Sequence, residues 1–345
     1  MSVTIKDIAK EAKVSIATVS RVINNKSEGV GQETRERIQK IIKDMNYYPN
    51  RVARGMVTKK SNILGLILPD ISNPFFPDLV RGLEDTASKS GYNIVLCNSD
   101  NNKDKEASYI RVLKENNAAG IFYISVIKKN DNNLNLLLDS KIPFVLMDRR
   151  INIEKVPKIY TDNMTGMYEM VEYLIENGHN HIAYISGPKH NSSSDQRLEG
   201  YKKALSDSGI SVNVDIIKIG DYKIESGRQH MLDLLEQGNK FTAVACANDM
   251  MAVGALEVLK DKKLKVPKEI SITGYDDIFM ASVTSPKLTT VAQPKYEMGC
   301  IAAELMIKLV QGQKISRMEV ILHSTLAIRE SVAKRSDNIE NCSYR

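Results

Sequence analysis

The chain of 345 residues has no tryptophan and only 6 phenylalanines beside 14 tyrosines, so a site built on flat aromatic faces has few residues to draw on. Its 4 cysteines, at positions 97, 246, 300 and 342, show no paired spacing and read as reduced thiols of a cytoplasmic protein. No apolar run is long enough to span a bilayer and the N-terminus carries no secretory pattern, so no membrane partner is expected. Catalytic patterns are missing too. There is no phosphate-cradling loop ending in Gly-Lys-Ser/Thr, no nucleophile elbow and no paired-His metalloprotease motif. Gly29-Val30-Gly31 opens a dinucleotide-like pattern, yet Thr34 stands where a third glycine is needed. His179 and His181 lack a Cys or carboxylate at ligand spacing and read as a helix end and a strand start. The expectation is a chain that is not an enzyme, holds no metal and needs no cofactor.

What the chain does have is an uneven charge. Residues 1 to 60 hold 13 Lys and Arg against 6 Asp and Glu, a surplus of +7, whereas residues 61 to 345 hold 35 against 36. A basic head on a neutral body suits contact with a polyanion, because phosphate neutralisation is the main sequence-independent source of nucleic-acid affinity. A solvated basic terminus would give the same counts, so the pattern inside the head decides. Ile5, Ile8, Ala9 and Ala12 recur at helical spacing, with Thr4 and Asp7 placed as a capping box. After a turn through Lys13 and Val14, Ser15 can cap a second helix. That helix buries Val19, Val22 and Ile23 and leaves Ile16, Ala17, Thr18, Ser20 and Arg21 near or on its outer side. A third helix is predicted from about Thr34 to Asn46, with Ile38, Ile41, Ile42 and Met45 on one stripe. Three such helices form a compact helix-turn-helix bundle, whose second helix offers its exposed N-terminal side to a major groove. Pro49 ends the head, and Asn50 can cap one turn over residues 51–56, too short to be helical alone in water.

From Asn62 onward, apolar runs alternate with amphipathic helices, the pattern of parallel sheets covered on both faces. Strands are predicted at 63–68, 93–97, 120–124, 144–147, 182–186, 216–219, 243–247 and 271–275. Gly91, Gly178 and Gly209 stand where helix-ending glycines belong. The length suffices for two lobes. The break falls near Thr161 and the chain recrosses near Gln293, with 296–310 and 319–322 returning to the first lobe. The predicted organisation is therefore a head at 1–48, a linker at 49–60, a first lobe at 61–160 with 293–323, and a second at 161–292 with 324–345.

Open sheets of this type bind ligands beyond the carboxyl ends of their strands. Asn73, Phe75, Phe76, Asp148 and Arg149 stand at such ends in the first lobe; Arg197, Tyr222, Asn248 and Asp276 stand in the second, and Gln293 at the final crossing. Taken singly, Phe75 and Phe76 fit a core, Asp148 and Arg149 a surface ion pair, and Asn248 and Asp276 helix caps. Their joint occurrence in both lobes favours a cleft for a monosaccharide, which needs aromatic faces for its C–H side and paired hydrogen bonds for its hydroxyls.

The run Thr4-Ile5-Lys6-Asp7-Ile8-Ala9 through Val14-Ser15-Ile16-Ala17-Thr18-Val19-Ser20-Arg21-Val22-Ile23-Asn24 closely resembles the LacI/GalR family of bacterial transcriptional regulators. Tyr47-Tyr48-Pro49-Asn50-Arg51-Val52-Ala53-Arg54-Gly55-Met56 looks like that family's hinge. The likeness covers nearly the whole chain and implies an α/β fold: an N-terminal helix-turn-helix domain, then a two-lobed periplasmic-binding-protein-like core of two doubly wound parallel sheets. By position, it implies that Ile16 and Ala17 meet base edges and that Arg21 makes a bidentate contact to guanine. Thr4, Ser15, Thr18, Ser20 and Asn24 would contact phosphate or cap the helix. Asn50, Ala53 and Arg54 would enter the minor groove, with Met56 where the family usually places a wedging Leu. The cleft resembles that of ribose-binding members, including the pair Asp148-Arg149, which implies ribose or a close aldopentose as effector.

The function implied is a repressor of a sugar-utilisation operon. A homodimer, with a tetramer left open, would place two heads on a near-palindromic operator DNA. The tail at 333–345 has no sustained heptad to argue for tetramers. The alternatives are a regulator that answers to a phosphorylated carrier protein and a sugar-binding protein of transport. The basic head, the hinge and the missing export pattern separate the chain from the second.

Overall fold

The computed structural model describes residues 3–23, 29–47, 61–124, 132–150, 153–238 and 240–335. They belong to two units, Met1–Ser61 and Asn62–Arg345. The first unit holds α1 (Ile5–Glu11), α2 (Ile16–Ile23) and α3 (Gln32–Asp44). At the start of α1 the Asp7 carboxylate accepts from the Thr4 backbone N–H at 2.8 Å and from its hydroxyl at 2.7 Å. These bonds hold the Asp7 carboxyl below the usual carboxylate range. Ser15 opens α2 by accepting the Thr18 N–H at 3.1 Å. Between the two helices Lys13 takes φ 51°, which turns the chain. Ile8, Ala9 and Ala12 of the first helix region meet Val19 and Val22 of the second and Ile38 of the third in one small core. Helix α3 starts earlier than its apolar stripe predicts because Gly31 supplies an extended N-cap and Gln32 reaches Glu36 at 2.8 Å. Its end is also earlier, with Asn46 reversing the chain at φ 51°.

The second unit contains two six-stranded sheets. The first lobe carries β1 (Ile63–Leu68), α4 (Phe75–Lys89), β2 (Asn93–Asn98), α5 (Lys103–Glu115), β3 (Gly120–Tyr123), α6 (Asn132–Ser140), β4 (Phe144–Met147) and β5 (Lys158–Thr161). The second carries α7 (Asn163–Glu176), β6 (Ile182–Ser186), α8 (Ser192–Asp207), β7 (Ile217–Ile219), α9 (Ile224–Glu236), β8 (Ala243–Cys246), α10 (Asp249–Asp261), β9 (Ser271–Asp276), α11 (Phe279–Val283) and β10 (Thr289–Ala292). The chain then returns with α12 (Lys295–Val310) and β11 (Glu319–Leu322), and crosses once more into β12 (Thr325–Ala327). The first sheet runs β11-β5-β4-β3-β1-β2, every neighbour parallel. The second runs β12-β10-β9-β8-β6-β7, with only the β10 and β12 pairing antiparallel.

Strand sequences such as ILGLIL and AVAC are apolar throughout because helices cover both faces of each sheet. Gly91, Gly178 and Gly209 have φ of 79°, 84° and 71°, the left-handed turn that stops a helix. Three strands fell outside the predicted set: β5, β10 and β12 are 3 to 4 residues long and polar in part. The predicted strand at 216–219 begins one residue later, since Ile216 ends a 3-10 turn over Val214–Ile216.

Helices α4 and α12 pack through glycine. A Cβ on Gly82 would stand 2.1 Å from the Tyr296 carbonyl oxygen, and one on Gly299 would stand 2.2 Å from that of Leu79. Backbone touches backbone at this crossing.

Candidate functional site

On the head, the outer side of α2 collects the residues singled out from sequence. Ser15, Ile16, Ala17 and Arg21 are exposed, and Thr18 and Ser20 half-buried. Ile16 keeps 44% of its surface open. Ser15 and Thr18 engage each other, hydroxyl to hydroxyl at 2.9 Å, so they shape the helix start that carries Ile16 and Ala17. Thr4 is committed to its cap on Asp7. Asn24, Asn50, Ala53, Arg54 and Met56 lie outside the described residues.

In the second unit, the carboxyl ends of the strands of both sheets face one cavity of about 780 Å³. Asn73, Phe75, Phe76, Asp148, Arg149, Arg197, Tyr222, Asn248, Asp276 and Gln293 all line it. The structure thus brings together all ten sequence-predicted cleft residues.

From the first lobe, Phe75 and Phe76 open α4 edge to face, ring centres 5.2 Å apart and planes at 85°. They are buried, serving as lobe core and cavity wall at once. Asn73 accepts the Phe75 N–H at 3.0 Å and so fixes that helix start. Asp148 and Arg149 follow β4. Their ion pair is long, 4.0 Å from Nε to Oδ2, and both side chains are nearly enclosed. The notion of a surface pair does not survive this burial. Burial pushes the Asp148 carboxyl up to about 6, against the pull of Arg149 and Arg197 and with the help of Asp276. Burial likewise lowers the Arg149 pKa, with Asp148 opposing. Two nitrogens of Arg149, Nε and Nη1, are buried without a hydrogen-bond partner.

From the second lobe, Arg197 projects out of α8 and is held on several sides. Its Nε donates to Asn163 at 2.8 Å, Nη1 donates to the Ala247 carbonyl, and Nη2 lies 3.4 Å from Asp276. The guanidinium also stacks 3.7 Å from the centre of the Tyr275 ring. Burial works against its charge, yet Asp276, Tyr222 and Tyr275 together keep its pKa above the ordinary value. Asp276 accepts from Gln293 at 2.7 Å, and Gln293 in turn accepts from Thr161, which ties the two crossings of the chain together. Burial raises the Asp276 pKa, with Arg197 and the Gln293 bond pulling it down. Asn248 has two partners, accepting the Met251 N–H at 3.0 Å as the cap of α10 and donating to the Tyr222 carbonyl at 3.0 Å. Helix cap and cleft residue are therefore the same side chain. The Tyr222 hydroxyl is buried and unpartnered. One bond crosses the cleft directly, Ser193 Oγ donating to the Asp148 carbonyl at 3.2 Å.

Three of these residues carry backbone strain. Asp148, Tyr222 and Asp276 have φ of 66°, 70° and 107°, conformations that cost a non-glycine residue roughly 1 to 3 kcal/mol each and gather where a site demands them. Sequence reasoning missed the residues behind them. Asn163 and Asp249 are buried and hold Arg197 and the turn after β9, the latter by accepting the Ile278 N–H at 2.8 Å and the Thr290 hydroxyl at 2.5 Å. Asp249 comes directly after Asn248, past the predicted strand at 243–247, and that placement was the available signal, whereas Asn163 follows β5, which the sequence pattern did not mark. His179 bonds Thr242 at 2.9 Å and the Ala333 carbonyl at 3.1 Å, and no metal-holding cluster occurs among the described residues. Cys97, Cys246 and Cys300 are free thiols. No helix among the described residues is long and apolar enough to cross a membrane.

Comparison with known proteins gives two family matches. Residues 4–50 match "Bacterial regulatory proteins, lacI family", and residues 61–329 match "Periplasmic binding proteins and sugar binding domain of LacI family". The HTH-type transcriptional regulator RegA of Clostridium saccharobutylicum is 39% identical over 96% of this chain and 99% of its own. A ribose operon repressor of Halalkalibacterium halodurans is 36% identical over 98% of this chain and 99% of its own. Among solved structures, the lac repressor dimer bound to operator and an anti-inducer superimposes with a TM-score of 0.86 at 27% identity, over 96% of this chain and 100% of that one.

Proposed function

Since this chain belongs to the LacI family of bacterial regulatory proteins, we propose that it is a sugar-responsive repressor whose effector is ribose or a close pentose. The coarser part needs no proposal: it is a DNA-binding transcriptional regulator with a sugar-binding core, and not an enzyme. The finer part rests on Arg149. The residue is 7% exposed, its Nε sits 4.0 Å from the Asp148 carboxylate, and Nε and Nη1 have no hydrogen-bond partner. A buried cation with two unpartnered nitrogens carries a desolvation cost that a ligand can relieve. Adjacent hydroxyls of a small sugar supply acceptors for it, donors for Asp148 and Asp276, and a C–H face for Phe75 and Phe76.

In this reading two chains pair and set two α2 helices on the half-sites of a near-palindromic operator. Sugar and operator then compete through one conformational equilibrium. The fall in DNA affinity equals the ratio of sugar affinities of the two states. The test is a titration of D-ribose into a labelled operator complex, followed by anisotropy. Release is the expected result. Tightening would make the sugar a co-repressor, and no response would reject ribose and turn attention to a phosphorylated carrier protein.

A further inference from the structure

Outside the cavity wall, one buried cation joins the two lobes. Lys295 is the first residue of α12, a first-lobe helix, and stands directly after the second crossing of the chain. It is 6% exposed. Its Nζ donates to the Asp276 carbonyl at 2.8 Å and to the Asp277 carbonyl at 2.6 Å, the last residue of second-lobe strand β9 and the first of the turn after it. The same Nζ lies 3.6 Å from Asp78 on α4 of the first lobe. Two of the three N–H donors of the ammonium are thus bonded to carbonyls of the second lobe, and its charge is paired with a carboxylate of the first.

The turn that Lys295 holds is not a relaxed one. Asp276 at φ 107° and Asp277 at φ 51° are successive non-glycine residues in the left-handed region, and their carbonyls converge on one side. Convergent carbonyls repel unless a cation lies between them. Asp249 takes the Ile278 N–H at 2.8 Å, so the turn is held by a carboxylate of its own lobe and an ammonium of the other. The Asp276 side chain emerges from this clamp to meet Gln293 and Arg197 at the cavity.

We propose that Lys295 is a positioning residue: from the first lobe it fixes the backbone that presents Asp276 to the effector, and so makes the cleft's geometry depend on how the lobes meet. Its significance for sugar response rests on the reading of the cavity as an effector site, but the geometry itself is testable without any ligand. Hydrogen exchange on the full chain in the absence of sugar compares the wild type with Lys295→Met. Faster exchange by about tenfold or more at the amides of 277–279, with α10 and β8 unchanged, is expected, as charge-assisted bonds are lost locally. Unchanged exchange at 277–279 overturns the proposal, and so does an acceleration spread equally over α10 and β8, which would mark a merely structural role. Lys295→Arg, which retains charge and donors, should restore much of the protection. Should Lys295→Met fail to fold, Lys295→Gln must show the same localised pattern more weakly. D-ribose titration then separates the two readings. If the wild type does not bind ribose, the effector assignment fails while the exchange result still decides the role of Lys295. If it does bind, Lys295→Met must bind about ten- to a hundredfold more weakly, and equal affinity refutes the link to the effector.

Discussion

Removing the charge of Asp148 should stabilise this protein while weakening its hold on sugar. Burial raises the Asp148 carboxyl from an ordinary 3.8 to about 6, even with Arg149 and Arg197 pulling it down. The folded chain therefore holds that proton more tightly than the unfolded chain does. Stability is highest below the unfolded pKa, falls as pH rises through the folded one, and levels off above it. The gap corresponds to about 3 kcal/mol, at roughly 1.4 kcal/mol per tenfold change in ionisation. Asn has the same shape and no charge to desolvate. Sugar-free Asp148→Asn should thus be more stable than wild type at neutral pH by about 3 kcal/mol, or near 6 °C at roughly 2 °C per kcal/mol for a domain of this size. Near pH 4 the two should converge. Calorimetry across the pH range without sugar reads both the offset and its disappearance. The same variant should bind D-ribose about ten- to a hundredfold more weakly, because a neutral amide replaces a charged acceptor. A variant less stable than wild type at neutral pH, or two superimposable pH profiles, would refute the claim that Asp148 is ionised at a cost to the fold.

Other perturbations separate head, cleft and scaffold. Arg21→Ala should reduce discrimination between operator and unrelated DNA by about 1 to 3 kcal/mol, measured by competition binding, and leave sugar affinity unchanged. Asp276→Ala strips Arg197 of its buried partner and Gln293 of its acceptor; the protein should still bind operator but no longer release it with sugar. Sugar affinity equal to wild type in that variant would mean that the cleft has been misassigned. Gly82→Leu places a side chain where a carbonyl already lies 2.1 Å from the ideal Cβ, and should lower stability by at least about 3 kcal/mol in a denaturant titration.

Most of the fold was legible because its strands are buried on both faces. Sequences such as ILGLIL and FVLM have no reason to be so apolar unless helices cover them twice. The strands that escaped are of a different kind. Lys158 lies inside β5 and is buried, with its ammonium 3.6 Å from Glu319 on the neighbouring β11, so the strand exists by virtue of a partner 161 residues away in sequence. TTVA and TLA are short and polar, and they are strands because β9 stands ready to pair the first of them. In the cleft, residues that follow apolar strands, such as Asp148 after FVLM and Asn248 after AVAC, were readable from position alone. Arg197 was placed with them, but it sits within α8, one turn and more past the end of β6, and reaches the cleft by the length of its side chain. Lys295 is harder still: nothing in Pro294-Lys295-Tyr296 announces that its ammonium closes a turn made by residues 276 and 277.

The order in which the first sheet is assembled bears on how the protein is made. Strands β1 to β5 leave the ribosome early, but one of the helices that cover them, α12, and the edge strand β11 are translated only after the whole of the second sheet except β12. Met298, Ala302, Ala303, Leu305 and Met306 of that late helix share a core with Leu64, Leu66 and Leu68 of the earliest strand. For most of synthesis, therefore, the oldest part of this body waits with one greasy side covered by α4 alone while the younger part matures ahead of it. A nascent chain halted anywhere before about residue 310 should be a client of holding chaperones, and no single cut can yield two self-sufficient halves.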